Sequence, residues 1–177
     1  MPTTAQRYRD YTGLALFSMG FRPFFFAAGV WAALALPLWI AGFLGWLAGI
    51  DRNWHVHEML FGYLSSVIAG FLLTAIPNWT GRLPVMGAPL AGLFALWCAG
   101  RVAMLVGPGT LAGAIVDSLF LVALGLVVAR EVIAGKNTRN LPVCLLIALL
   151  AAANILTHLR GANADLAALG ERAGIAL

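Results

Sequence analysis

The residues best suited to chemistry form one short stretch, WHVHEML, at positions 54–60. It holds two of the three histidines of the chain, His55 and His57, followed at once by the carboxylate of Glu58. An apolar run from Met59 to Ile76 comes next, so these groups stand at the edge of a membrane-length segment. Ionisable side chains there are costly and usually functional, and imidazole is a ligand of transition metals. The stretch therefore predicts a metal or haem site with His55, His57 and Glu58 as candidate ligands.

The spacing of the two histidines limits how they can act together. Positions two apart lie about 200° apart on a regular helix, so His55 and His57 cannot share one metal from a continuous helix. In an extended segment 53–57 both side chains would face the same way and could chelate one ion. Otherwise one histidine faces the bundle and the other serves a second site. His55 and Glu58, three apart, share a helical face, which suits a ligand with its orienting carboxylate or two ligands of one ion.

A second set of polar residues is expected on the same side of the membrane. His158 ends the fifth apolar run, and Asn154 lies four residues before it, on the same helical face, where it would orient a ligand or bridge helices. Arg101 and Asp117 flank a tight turn, each about 10 Å below it at a rise of about 1.5 Å per residue, so we expect them to pair. A lone charge there would cost about 3 kcal/mol. The pair either locks the hairpin or has a functional role.

The opposite side of the membrane carries Arg22 and a turn that includes Asn78, Trp79 and Arg82. The two arginines are first of all topology anchors. They would also suit haem propionates or lipid phosphates, because a guanidinium forks onto anionic oxygens. Asn78 and Trp79 make the turn more polar than a connector needs, so it caps the second helix or docks a loop against the bundle.

These residues must be positioned by membrane helices. The chain has 177 residues, 62% of them hydrophobic and 10% charged, with a mean hydropathy of +0.91. A soluble domain carries about 25% charged residues, so this chain belongs in a lipid bilayer. Its net charge of +4 reflects basic residues between apolar runs, and nucleic-acid binding is excluded because no basic patch is present.

The fold class predicted from the apolar runs is an all-α, polytopic membrane bundle of about five transmembrane helices in a single domain, 1–177. The runs cover residues 24–47, 57–76, 89–106, 111–129 and 141–158. The second run is expected to stop at Pro77. The tail, 166–177, is apolar enough to begin a sixth helix, which suggests a truncated chain; the alternative is a short interfacial helix.

The basic residues predict the orientation of the bundle. With a cytoplasmic N-terminus, the inner side holds seven of them and the outer side four, and Arg101 of those four belongs within the bilayer. The positive-inside rule therefore favours a cytoplasmic N-terminus. His55, His57, Glu58 and His158 then lie toward the outer face.

Three motifs in order resemble the NnrS family of bacterial membrane proteins. They are LFSMGFRPFF at 16–25, WHVHEMLFG at 54–62 and IAGFLLTAIPNWTG at 68–81. The resemblance, from about Leu16 to His158, implies a multi-pass inner-membrane protein that contains haem and copper and acts in the response to nitric oxide and nitrosative stress. Family members have about twelve spans, so this chain is similar to the N-terminal half. A second half or another copy of the chain is then an expected partner, and His55 and His57 are the ligand candidates that the resemblance implies.

Two other functions remain open from the sequence. A quinol-linked, cytochrome-like redox subunit would need two histidines on facing helices, which only His55 or His57 with His158 can supply. Half of a transporter or sensor would use Arg101 and Asp117 as a gating pair. Signatures of soluble enzymes such as HExxH, GxSxG and the phosphate loop are missing. The sequence assigns no catalytic residue and leaves open whether the protein is an enzyme.

Overall fold

The computed structural model describes residues 4–177. It is 82% helical, and the described part of the chain contains no strand. Its α-helices are α1 (Thr4–Arg9), α2 (Phe21–Phe43), α3 (Arg52–His57), α4 (Ser65–Thr80), α5 (Ala88–Val106), α6 (Leu111–Ala134), α7 (Leu141–Thr157) and α8 (Ala164–Ala176). A π-helical turn, Glu58–Leu64, joins α3 to α4, so that Arg52–Thr80 is one continuous span.

Five helical segments are long and apolar enough to cross a membrane, and they confirm the predicted all-α bundle. They are Phe21–Phe43, Arg52–Thr80, Ala88–Val106, Leu111–Ala134 and Thr138–Gly161. α5 begins and α7 ends within one residue of the predicted ranges 89–106 and 141–158. α2 begins and ends a few residues before the predicted 24–47, because the chain turns at Gly45, where φ is 78°.

The second span corrects the predicted range 57–76 at both ends. It starts earlier because Asp51 caps α3, its Oδ1 accepting the backbone N–H of Trp54 at 2.8 Å. It does not stop at Pro77, which lies inside α4. Proline is tolerated in membrane helices where neighbouring groups satisfy the freed backbone. The helix ends only at Gly81, whose φ of 67° is the left-handed conformation of a helix C-terminus.

The fourth span also runs further than predicted, to Ala134 rather than Ala129. The sequence prediction ended where Arg130 and Glu131 introduce charge. In the structure Arg130 Nη2 donates to Glu131 Oε1 at 2.5 Å, and Arg82 Nε donates to Glu131 Oε2 at 2.5 Å. Because these charges are paired, they do not interrupt the helix.

The π-helical turn is the local feature that the sequence did not reveal. Seven residues, Glu58–Leu64, adopt it in the middle of the second span. Ser65 Oγ donates to Phe61 O and, at 3.1 Å, to Gly62 O. These backbone carbonyl oxygens of the π-turn therefore accept a side-chain hydrogen bond. π-turns inside helices occur frequently at functional sites. This one begins at Glu58, whose side chain is fully buried.

The helices pack around an aromatic core. Phe24 of α2 contacts Phe120 of α6 with ring centroids 5.6 Å apart, and Trp31 meets Trp97 of α5 edge to face at 6.3 Å. The outward faces carry exposed apolar side chains such as Phe26, as expected for a surface in contact with lipid. The core therefore brings α2, α5 and α6 together around the second span.

The tail forms a helix, α8, that begins two residues before the predicted 166 and is not among the five candidate spans. Whether it starts a sixth span or lies at the interface stays open. Asn163 caps it by accepting the backbone N–H of Leu166 at 3.0 Å. Gly170 lies against the Ala153 carbonyl of α7, and Gly174 lies against the ring of Phe61. Small residues four apart allow close helix contact in membranes. α8 is therefore packed into the bundle.

Candidate metal centre

The two histidines of the WHVHEML stretch lie on different sides of a helix. Segment 53–57 is helical, so the extended arrangement that would let His55 and His57 chelate one ion is wrong. The His55 ring stacks on Trp39 of α2 with centroids 4.4 Å apart. His57 is buried and points into the bundle. The alternative in which one histidine faces the bundle is the one observed.

His57 is held by hydrogen bonds at both ring nitrogens. Its Nδ1 lies 3.1 Å from Glu58 Oε1, and its Nε2 lies 2.9 Å from Asn154 Oδ1 on α7. The same Nε2 is 3.3 Å from Asp117 Oδ2 on α6. Glu58 thus contacts His57 and not the ring of His55, in the way a carboxylate orients a metal-ligating imidazole.

Asp117 is the hub of the cluster. Its Oδ1 accepts from Arg101 Nη2, which brings the expected hairpin pair into direct contact. Its Oδ2 accepts from Asn154 Nδ2 at 3.0 Å and lies 3.0 Å from His158 Nε2. Asn154, for which two roles were open, both orients ligand candidates and joins α7 to α6. The carboxylate is 2% exposed, so these contacts form away from water.

Arg101 is enclosed as completely as its partners. Its Nη1 donates to Glu58 Oε2 at 2.6 Å, and its guanidinium carbon lies 6.0 Å and 5.8 Å from the ring centroids of Trp31 and Trp97. Those distances are within the range of cation–π attraction. Gly62 makes this possible, since a Cβ there would collide with Arg101 Nη1 and lie 2.9 Å from Glu58 Oε2.

The charges of the cluster do not balance without a further cation. Glu58 and Asp117 are two buried carboxylates against the single guanidinium of Arg101, which leaves one negative charge. A buried unpaired charge is strongly unfavourable. Either a proton on His57 or His158 or a bound metal cation must neutralise it.

The geometry suits a single metal ion. Three potential ligand atoms, one each from His57, Asp117 and His158, lie within 4.8 Å of one another. Two imidazole nitrogens and one carboxylate oxygen form a donor set that copper and zinc accept. Of the predicted set His55, His57 and Glu58, only His57 belongs to this group, and Glu58 contacts its other ring nitrogen. Which residues bind a metal stays a prediction.

The same geometry does not suit haem. Axial haem ligands face each other across a flat macrocycle, whereas the Nε2 atoms of His57 and His158 both converge on one Asp117 oxygen. The third histidine, His55, is stacked on Trp39 on another side of the helix. These are all the histidines of the chain, so residues 4–177 offer an ion site and no histidine pair for haem.

The opposite end of the bundle holds the remaining predicted residues. Arg22 Nη1 donates to Ala15 O at 3.0 Å and to Ser18 Oγ at 2.8 Å. Arg82 pairs with Glu131, as described above. Both arginines lie at the end of the bundle far from His57, at the start of α2 and just after α4. Their roles toward propionates or phosphates stay predictions.

The predicted polar turn at Asn78 and Trp79 is instead the last turn of α4, and it docks against the segment after α6. Asn137 Nδ2 donates to the Trp79 carbonyl at 2.5 Å, while Asn78 is exposed. Of the two sequence alternatives for this turn, capping or docking, the Trp79 contact is a docking contact.

An open cleft of about 930 Å³ reaches the cluster from one side. His57 and His158 line it, together with residues from the α5–α6 turn and from α7. The cluster is therefore accessible to small molecules at His57 and His158.

The fold and the cluster define a class of protein: a multi-pass helical membrane protein with a buried set of ionisable ligands close to one membrane face. Intramembrane residues of this kind are functional by default. Comparison with family models then gives the family. The chain matches the family described as NnrS protein over residues 15–177, and it belongs to that family. Comparison with curated proteins and with solved structures finds no match.

Proposed function

We propose that this protein is a copper-binding membrane protein of the nitric oxide response, with one ion held by His57, Asp117 and His158. The observation that carries the proposal is the convergence of three ligand atoms within 4.8 Å in a cluster with an uncompensated negative charge. Family membership supports the nitric oxide role. Copper at this site would supply one-electron redox chemistry and a coordination position for a small ligand.

The residues around the ligands have separate tasks. Glu58 accepts from His57 Nδ1, so Nε2 would be the coordinating atom, and it would give up its proton and its hydrogen bond to Asn154 Oδ1 when copper binds. Asn154 contacts both His57 and Asp117, so it holds the two ligands in register. Arg101 ties Asp117 to Glu58 and offsets part of their charge. No step is proposed through haem, because the histidines provide no pair of axial ligands for it.

The setting of the protein is proposed from sequence and family together. We place it in the bacterial inner membrane with a cytoplasmic N-terminus, which puts the copper site near the outer face. The sequence resemblance to the N-terminal half of family members with about twelve spans is the ground for proposing a second half or another copy of the chain as partner. Labelling of single cysteines in the α6–α7 and α5–α6 turns of intact cells would test the orientation.

Copper content tests the proposal directly. Detergent-purified protein should hold one copper ion per chain, and His57→Ala, His158→Ala and Asp117→Asn should each lose it. His55→Ala is the matched control, because it removes an imidazole two residues away that lies outside the cluster. If the folded protein holds no copper, a proton on His57 or His158 must neutralise the negative charge of the cluster. That outcome would favour the transporter or sensor alternative over a metal protein.

A further inference from the structure

The end of the bundle far from His57 carries an excess of positive charge that is fixed in place. Arg82, just after α4, and Arg130 of α6 donate to the two different oxygens of Glu131. The Glu131 side chain is 5% exposed, whereas those of Arg82 and Arg130 are 42% and 65% exposed. One buried carboxylate therefore holds two guanidinium groups side by side at the surface.

The packing of α6 against the end of α4 keeps these two arginines together. A Cβ at Gly135, just after α6, would come within 2.6 Å of the Thr80 Cβ, so the two segments are in close contact. Asn137 Nδ2 donates to the Trp79 carbonyl at the last turn of α4. Because both contacts join the segments that carry the arginines, the fold sets the position of the guanidinium pair.

Several donors of this pair have no partner in the described part of the chain. Arg82 bonds Glu131 through Nε alone, and Arg130 bonds it through Nε and Nη2, so the other Nη groups make no hydrogen bond there. Glu131 is the only acidic residue in the segments 59–116 and 118–164, so α4, α5 and α7 offer no second carboxylate. A guanidinium forks onto the oxygens of a phosphate. The pair is therefore suited to one anionic group with several acceptor oxygens.

The position of Arg130 indicates that this anion belongs to a lipid. Arg130 lies within a membrane-spanning helix, about 6 Å before its end at 1.5 Å per residue, a depth from which arginine side chains reach the headgroups. Leu126 and Ile133, four residues before and three residues after it, share its helix face and are 68% and 66% exposed. A free phosphate would have to leave bulk water to lie against this apolar face. The phosphate of a lipid is held at this level by its acyl chains.

The charge of the pair selects among lipids. Two guanidinium groups and one carboxylate leave one positive charge, and the exposed Lys136 and Arg139 follow in the next loop. A headgroup with a net negative charge neutralises the excess, whereas a choline or ethanolamine headgroup brings a further cation next to it. Basic clusters between membrane helices bind anionic headgroups for this reason.

We propose that Arg82 and Arg130 together bind the phosphate of one phospholipid with a net negative headgroup, and that an acyl chain of this lipid lies along Leu126. The proposal goes beyond the copper site and does not depend on it, because the two arginines lie at the other end of the bundle. The lipid is a ligand of the folded protein and is not required for its folding.

Lipid binding to the wild-type protein gives the first test. Native mass spectrometry of detergent-purified protein, titrated with dioleoyl phosphatidylglycerol or dioleoyl phosphatidylcholine, counts the bound lipids and gives both affinities. One phosphatidylglycerol should bind about tenfold more tightly than phosphatidylcholine, the effect of a charge-assisted hydrogen bond. Equal affinities for the two lipids would overturn the proposal without the need for any variant to fold.

Variants separate a positioned site from general attraction to positive charge. Arg130→Lys keeps the charge but loses the guanidinium fork, so it should weaken phosphatidylglycerol binding about threefold to tenfold. Arg82→Gln should weaken it further, because it also removes a charge. Arg52→Gln is the matched control, since it removes an exposed arginine at the opposite end of the bundle and should bind like the wild type.

Two further outcomes would contradict the site. If Arg130→Lys binds phosphatidylglycerol as tightly as the wild type, or if Arg82→Gln does no more than Arg52→Gln, charge alone explains the binding and the proposal fails. If excess inorganic phosphate at constant ionic strength displaces the phosphatidylglycerol, the site takes a free anion and the lipid proposal fails. Circular dichroism of each variant verifies that it is folded.

Discussion

The two ends of this bundle carry the same kinds of charged side chains in opposite circumstances. Near the His57 end, Arg101 is 4% exposed and is shared by two buried carboxylates, Glu58 and Asp117. Near the other end, the single carboxylate of Glu131 is shared by Arg82 and Arg130, which are 42% and 65% exposed. The first cluster is buried and, with neutral histidines, has excess negative charge. The second has exposed guanidinium groups and excess positive charge.

This difference explains why only one end is a candidate metal centre. Water and lipid headgroups solvate the free donors of Arg82 and Arg130, so no further partner is required. In the His57 cluster the excess charge has no solvent to stabilise it, and ligand atoms from three helices converge where a cation would lie. Burial and charge balance, rather than residue type, distinguish a functional site from a helix anchor.

The largest expected loss of stability comes from removing the charge of Arg101, which Glu58 and Asp117 share. Arg101→Gln leaves Glu58 and Asp117 buried without their charged partner, which should destabilise the protein by about 3–5 kcal/mol. Thermal unfolding in detergent, followed by circular dichroism, measures the loss. An Arg101→Gln protein as stable as the wild type would show that the cluster is hydrated.

The close packing of Gly62 against the Arg101 guanidinium can be tested next. Gly62→Ala adds a Cβ that collides with Arg101 Nη1, and overpacking of this kind costs about 1–3 kcal/mol. Gly92→Ala is the control, because a Cβ there meets nothing within 4 Å and alanine is the better helix former. Equal unfolding temperatures for the two variants would contradict the packing described around Gly62.

The supporting carboxylate should affect copper binding without removing a ligand. Glu58→Gln keeps the shape of the side chain but weakens its bond to His57, and loss of such an outer partner lowers metal affinity by about tenfold to a hundredfold. Competition with a copper chelator of known affinity gives the change. Unaltered affinity would mean that Glu58 only pairs with Arg101.

The smallest expected loss of stability is at the Glu131 end of the bundle. Arg82→Gln removes a half-exposed partner of Glu131 while Arg130 remains, so the loss should be about 1 kcal/mol or less and should shrink further in high salt. Unfolding at two salt concentrations measures it. A loss as large as that of Arg101→Gln would remove the contrast between the two ends.

Much of the fold and some of the site could be predicted from the sequence. Five apolar runs define five spans, because a bilayer fixes helix length. Matched depth across a tight turn was sufficient to pair Arg101 with Asp117. The residues on the same membrane side, His158 and Asn154, were also identified, although their contacts were not.

The missed parts depend on local geometry that composition does not encode. The π-turn at 58–64 has only a weak sequence trace, Gly62 followed by Ser65 and Ser66, and the contact of Glu58 with His57 depends on side-chain conformation. Trp31 and Trp97 enclose Arg101, a role that their positions within apolar runs did not indicate. Asp117 was predicted as an ion-pair partner rather than a ligand, because helix rotation, which aims it at His158, cannot be derived from spacing alone.

Electron paramagnetic resonance of the Cu(II)-loaded protein is the most direct test of the central claim. The account predicts one copper per chain whose spectrum shows hyperfine splitting from two imidazole nitrogens. His57→Ala should reduce that to one nitrogen or lose the copper, and His55→Ala should leave the spectrum unchanged. A spectrum without nitrogen coupling, or one lost in His55→Ala and kept in His57→Ala, would contradict a copper site built from His57, Asp117 and His158.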